Sequence, residues 1–104
     1  MKAPSGVPYS AYPVPDTHHE IALFTGRVQG VGFRYAVLQV AREFEVAGYV
    51  TNLPDGRVLL EAEGRQKVVE DFIAAVAAKM DGYVRSVERR NGRRRAQFTG
   101  FVIQ

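Results

Sequence analysis

The sequence predicts an α+β domain in the order β-α-β-β-α-β with an additional C-terminal strand, two helices lying on one face of a mainly antiparallel sheet. Three observations predict it. Apolar residues recur at helical spacing in two windows, Phe33 to Phe44 and Val69 to Met80. Short β-favouring stretches bracket each window. The 104 residues, 46% of them hydrophobic, suffice for one core and not for two.

Residues 1–18 read as a proline-rich, disordered tail, and the folded domain is expected over 19–104. Pro4, Pro8, Pro13 and Pro15 are all of the prolines except Pro54, and that density stops helix and interior strand alike. His18-His19 offers two imidazoles, but the chain has no third histidine and no cysteine to complete a metal site, so no metal is expected. Glu20 to Val28 is apolar and β-favouring, with Phe24, Gly26 and Val28 on one face of a strand. Phe33, Val37, Val40, Ala41 and Phe44 then form a helical stripe, widened by Leu38, against the polar Arg42, Glu43 and Glu45. Gly48 to Leu53 is a second strand. Pro54-Asp55-Gly56 turns the chain through proline's fixed φ, aspartate's capping and glycine's free φ, and Arg57 to Glu63 returns as the third strand. Val69, Phe72, Ile73, Val76 and Met80 mark a second helix, rich in alanine and ended by Asp81-Gly82. Tyr83 to Glu88 and Ala96 to Ile103 read as the last two strands. This is the ferredoxin-like plan, which fixes no activity by itself.

Composition removes several classes of function. Without cysteine there is no disulfide and no thiolate chemistry. No apolar run reaches the length of a membrane span, and the N-terminus lacks the pattern of a secretory signal, so a cytoplasmic protein without membrane contact is expected. The formal net charge is +3, unevenly spread: Arg85, Arg89, Arg90, Arg93, Arg94 and Arg95 crowd one segment. A solvated turn is the plain reading. A nucleic-acid patch would interleave aromatics, and none lies within Arg85 to Arg95. Nucleic acid is therefore disfavoured as a partner.

Chemistry concentrates in Gly26 to Arg34, "GRVQGVGFR", which runs from the end of the first strand into the first helix. The first turn of a helix has amide N–H groups without backbone partners, and the macrodipole makes that end positive. Gly30 and Gly32 let the chain curl so that the amides of Gln29, Gly30, Val31, Gly32 and Phe33 converge, a nest suited to phosphate. Arg34 could aim its planar fork at the same anion. The turn also has a purely structural use, and it is neither a Walker loop nor G-x-G-x-x-G. Asn52 ends the second strand. It can simply start the turn. If the first two strands lay side by side, it would instead come near the glycine-rich loop, where a carboxamide can hold a water.

"GRVQGVGFR" followed by "GYVTNLPDGRVLLEAEG" resembles the acylphosphatase family, from about Ile21 to the C-terminus. The resemblance implies the ferredoxin-like sandwich and hydrolysis of the carboxyl-phosphate bond of acyl phosphates to carboxylate and phosphate, without metal or cofactor. It implies that Arg34 and the backbone amides of Gln29 to Phe33 bind the phosphoryl group, that Asn52 orients the attacking water, and that phosphate is product and inhibitor. A monomer is expected. Phe24 stands where the family is usually aliphatic, Thr51 where a long or basic side chain is common, and Glu45 where the helix often ends in glycine. A left-handed Glu45 would cost about 1 kcal/mol. Asn91-Gly92 is a hairpin signal, but the family sends its last strand to the opposite edge of the sheet. By that implication "RRNGRRR" is an exposed crossover loop. Two non-enzymatic readings share the fold. One is an RNA-binding module, which would show aromatics where "RVLLEAEG" carries acids. The other is a regulatory domain that senses an anion without turning it over.

Overall fold

The computed structural model describes residues 16–104, of which β1 is Asp16–Gly26, α1 Phe33–Ala41, β2 Ala47–Asn52, β3 Val58–Gly64, α2 Gln66–Lys79, β4 Val84–Arg95 and β5 Phe101–Ile103. The five strands form one sheet in the order β4-β1-β3-β2-β5. All neighbours are antiparallel except β2 and β5. The element order, the helices and the ferredoxin-like fold agree with the sequence reading, and β5 lies at the edge opposite β4.

The helical stripes become the core. Phe33, Val37, Val40 and Ala41 of α1 are buried, as are Val69, Phe72, Ile73 and Val76 of α2, with Met80 just beyond it. They pack on Ala22 and Phe24 of β1, Val50 of β2, and Val58, Leu60 and Ala62 of β3. Each fully buried Val, Leu or Phe is worth roughly 1.5–3 kcal/mol. Helix α1 ends at Ala41, short of Phe44. Two tight turns follow, Glu43 N–H donating to Val40 O and Phe44 N–H to Ala41 O, and they lay the Phe44 ring against Phe72 at 5.8 Å. Glu45 does not adopt the left-handed conformation: among the described residues only glycines have positive φ.

Three expectations need correction. The first strand begins at Asp16, not Glu20, and ends at Gly26, so Asp16 to His18 belong to the sheet and not to a tail; the rest of the predicted tail lies outside the described residues. His18 and His19 cannot share a ligand, because alternation sends them to opposite faces. His18 Nε2 lies 3.1 Å from Glu20 Oε1 and His19 Nε2 lies 3.0 Å from Glu61 Oε1. Second, "RRNGRRR" is neither crossover loop nor hairpin. It is the second half of β4, paired in continuous register with β1 from Asp16↔Arg95 to Ile21↔Arg90. The crossover is the short segment after Arg95, and β5 shrinks to Phe101–Ile103. Third, β1 and β2 are not side by side. β3 lies between them, because the β2–β3 hairpin folds its returning strand into the gap that the β1-α1-β2 crossover leaves.

That insertion demands close backbone approach at Gly48. A Cβ there would sit 1.9 Å from Glu61 O, at a φ of +150°. Gly48→Ala is expected to cost about 3 kcal/mol or more, since the obstacle is backbone of the neighbouring strand. Gly56→Ala should cost only about 1 kcal/mol, because its φ is +94° and nothing lies within 4 Å. Urea unfolding of the two variants checks the difference.

Candidate active site

The loop between β1 and α1 is held from below and from the side. From below, Val28 and Phe33 are buried, and the Phe33 ring tilts against Phe24 at 5.1 Å. Phe24, the departure from an aliphatic residue, is therefore the floor on which the helix start rests. From the side, the Gln29 carboxamide Nε2 donates to Leu53 O at 2.8 Å and to Arg57 O at 2.9 Å. These two carbonyls belong to the turn between β2 and β3, where Leu53 N–H donates to Arg57 O and Gly56 N–H to Leu53 O. Asp55 braces the turn, accepting from Arg57 N–H at 3.1 Å and from Arg57 Nε at 2.9 Å. The Arg57 backbone N–H, and after it the guanidinium, holds the Asp55 carboxyl below its ordinary value.

Gly30 and Gly32 both adopt left-handed conformations, φ +77° and +78°. An added Cβ at either would meet nothing within 4 Å. Packing inside the protein therefore does not require glycine here. The backbone conformation does, and the bare side of the loop is open to approach. Gly32 is also the N-cap of α1 and offers no side-chain cap, and its carbonyl accepts the N–H of Ala36. The amides of the first turn before Ala36 are consequently left for solvent or an anion, with no acidic side chain in that turn.

Arg34 lies in this first turn. Its Nη1 donates to the Gln104 carbonyl at 3.2 Å, and Gln104 N–H donates to Val50 O at 2.9 Å. Asn52 is two residues further along β2, on the Val50 face by alternation. The loop, Arg34 and the end of β2 thus meet at one end of the sheet. The contact does not come from adjacent strands, the arrangement that the sequence left open, since β3 separates β1 from β2. It comes from α1 lying over β2 and β5, and from the Gln29 bridge to the turn. Among the sequence-predicted residues Gln29, Gly30, Val31, Gly32, Phe33 and Arg34 are continuous and Asn52 joins them through the turn. Sequence reasoning used Gln29 only for its backbone and missed its side chain. A carboxamide among glycines in a loop was the available signal. The supporting carbonyl of Gln104 had no local signal at all.

Removing the Gln29 side chain deletes two hydrogen bonds but strands neither carbonyl, since each also takes a backbone N–H. Gln29→Ala should cost about 1–2 kcal/mol. Gln29→Glu should cost more, because a carboxylate can only accept and would face two carbonyl oxygens. Urea denaturation of both variants tests the order.

The model of the acylphosphatase family matches residues 21–103. A Methanospirillum hungatei protein named acylphosphatase is 44% identical over 62 residues, which are 60% of this chain and 68% of that protein. An Archaeoglobus fulgidus acylphosphatase is 54% identical over 52 residues, 50% of this chain and 58% of its own length. The crystal structure of acylphosphatase from Bacillus subtilis superposes with a TM-score of 0.77 at 34% identity, covering 84% of this chain and 98% of that one. With the family match running from within β1 to the end of β5, and with this fold and loop, the chain belongs to the acylphosphatase family of enzymes.

Proposed function

We propose that this protein hydrolyses acyl phosphates, with the phosphoryl group held by the Gln29–Phe33 amides and Arg34 and the attacking water oriented by Asn52. The observation that carries the reading is the loop itself. Two left-handed glycines open onto space, the helix N-terminus follows at once, and an arginine stands in its first turn. The family membership supports the reaction class.

The chemistry suits so few groups. An acyl phosphate is a mixed anhydride, and its carboxylate leaves readily. Water oxygen bonds to phosphorus as the phosphorus–oxygen bond to the acyl group breaks, and the carboxylate departs with that electron pair. The water's proton passes to a phosphoryl oxygen of the substrate, so the protein needs no general base. What remains for the protein is to gather charge and fix geometry. The amides and the macrodipole of α1 meet the equatorial oxygens without reorganising. Arg34 adds a planar pair of donors, preset by its bond to Gln104. Asn52 can accept from the water with its oxygen and donate with its nitrogen. A phosphate monoester, whose leaving group is far poorer, lies beyond such a site. No metal enters this scheme and none of its steps calls for one.

Benzoyl phosphate hydrolysis, followed by ultraviolet absorbance with a chelator present, tests the roles. Arg34→Ala should lower kcat/KM on the order of 10³-fold or more and weaken inhibition by phosphate. Arg34→Lys should not rescue, since the fork is lost. Asn52→Ala should lower turnover about 10²-fold or more while phosphate still inhibits. A folded wild type that binds phosphate but leaves benzoyl phosphate intact would overturn the reading and favour an anion sensor.

A further inference from the structure

We propose that the outer edge of the sheet, β4 with Arg27 and Tyr83 at its start, is a binding track for single-stranded nucleic acid. Because Arg85 to Arg95 is one extended strand and not a loop, its arginines are spread along a sheet edge about 33 Å long, at roughly 3.3 Å per residue, Arg89, Arg93 and Arg95 toward the face of Ala22 and His18 and Arg90 and Arg94 toward the other. Arg85, Arg89, Arg90, Arg93 and Arg95 are exposed. Glu88 is the only acidic residue in the strand. Six of the chain's 14 basic residues lie there while the whole chain carries +3, so the remainder is acidic on balance and the positive field is concentrated on one edge.

Little of this charge is spent internally. Arg89 Nε pairs with the buried Glu20, and Arg94 stacks on Phe98 with Glu61 at 4.0 Å. Arg93 donates to the Asp16 carbonyl, which leaves its charge unpaired. Arg85, Arg90 and Arg95 make no side-chain hydrogen bond among the described residues. All six are arginine, although the chain also contains lysine. Edge protection alone is commonly met by lysine, whereas guanidinium forks match phosphate oxygens.

The sequence argued against nucleic acid because no aromatic interrupts the arginines. The fold supplies one from outside the run. Tyr83 is 39% exposed, immediately before β4, and the Arg27 guanidinium lies 5.9 Å from its ring centroid. Gly26, Arg27, Gly82, Tyr83, Val84 and Arg85 line an open recess of about 460 Å³. A partly exposed ring beside one guanidinium, in a recess that Arg85 also lines, is a stacking position for one unpaired base, and the arginine-rich edge beyond it follows a backbone. A membrane surface would call for exposed apolar residues among the arginines. Among the described residues the exposed large hydrophobics are Tyr35, Tyr83 and Val102, none of them in β4.

Fluorescence anisotropy of a labelled oligo-thymidylate, titrated between about 50 and about 200 mM salt, tests the track. Wild type should bind with a steep salt dependence. Replacing Arg85, Arg90 and Arg95 together by serine should weaken binding at least about tenfold and flatten the log–log salt slope by about 2, at roughly 0.7 per lost phosphate contact. Tyr83→Ala should cost about tenfold with the slope unchanged. The comparison variant replaces Arg42, Arg65 and Lys79 by serine, an equal loss of charge at other exposed positions, and should bind nearly as wild type. Circular-dichroism melts establish that all variants are folded. Three outcomes would overturn the proposal: no binding by wild type, equal loss in the two triple variants, or binding to anionic lipid vesicles but not to the oligonucleotide.

Discussion

The contact between Phe33 and Phe24 governs the site more than any polar bond in it. Phe33 is both the first residue of α1 and a buried core residue. Its ring against Phe24 fixes where the helix begins relative to the end of β1. With that point fixed, the amides of the first turn face outward, and Arg34, the next residue, is directed away from the core. The two left-handed glycines then have only to span a short, determined gap. An aliphatic residue at 24 would fill the floor with less area. The larger ring uses the extra contact to seat the helix, and truncating either ring would remove on the order of 3 kcal/mol or more from the same junction.

A second chain of constraint runs across the sheet to the same place. Glu63 is buried at the end of β3. Its carboxylate accepts Gln97 N–H at 2.8 Å and Phe98 N–H at 2.6 Å. These bonds pin the segment between β4 and β5, and Phe101 of β5 packs edge-on against Phe72 at 5.4 Å. β5 then delivers Gln104 to Val50 and Arg34. A buried carboxylate without partners would be costly, so two backbone amides at once satisfy it and fix the crossover's path. The guanidinium side of the candidate site is thus set by groups outside it, and the loop side by Phe24 and the turn carbonyls that meet its own Phe33 and Gln29.

Most of the fold was legible because its signals are local. Each helix wrote its period into consecutive residues, and Pro54-Asp55-Gly56 carried its turn in its own dihedral preferences. The strand ends were not legible where partners are remote. His18, which read as the end of a tail, is buried against Glu20, itself paired with an arginine 69 residues away, and so belongs to the sheet. The second half of β4 buries almost nothing and shows no alternation of apolar and polar residues. Its strand character comes from the register imposed by β1, which is non-local by nature. In the site, Gly30, Gly32, Arg34 and Asn52 were readable from residue type and spacing. The Gln29 side chain and the Gln104 carbonyl were not, since both act on residues far along the chain.

The glycines separate two kinds of necessity. At Gly48 a side chain is forbidden by the neighbouring backbone, and the reason is the fold. At Gly30 and Gly32 there is room for a side chain and the objection is conformational, with a penalty on the order of 1–2 kcal/mol per residue in the left-handed region. A loop that served only to connect β1 to α1 could avoid that conformation by one more residue of ordinary backbone. Two such departures, separated by one partly buried valine and backed by the Gln29 bridge, give the loop a shape that ordinary connection does not require. The packing below holds a backbone shape at which, among the described residues, nothing lies within 4 Å of a Cβ built at either glycine. An anion there would complete the hydrogen bonding that the first turn of α1 leaves open.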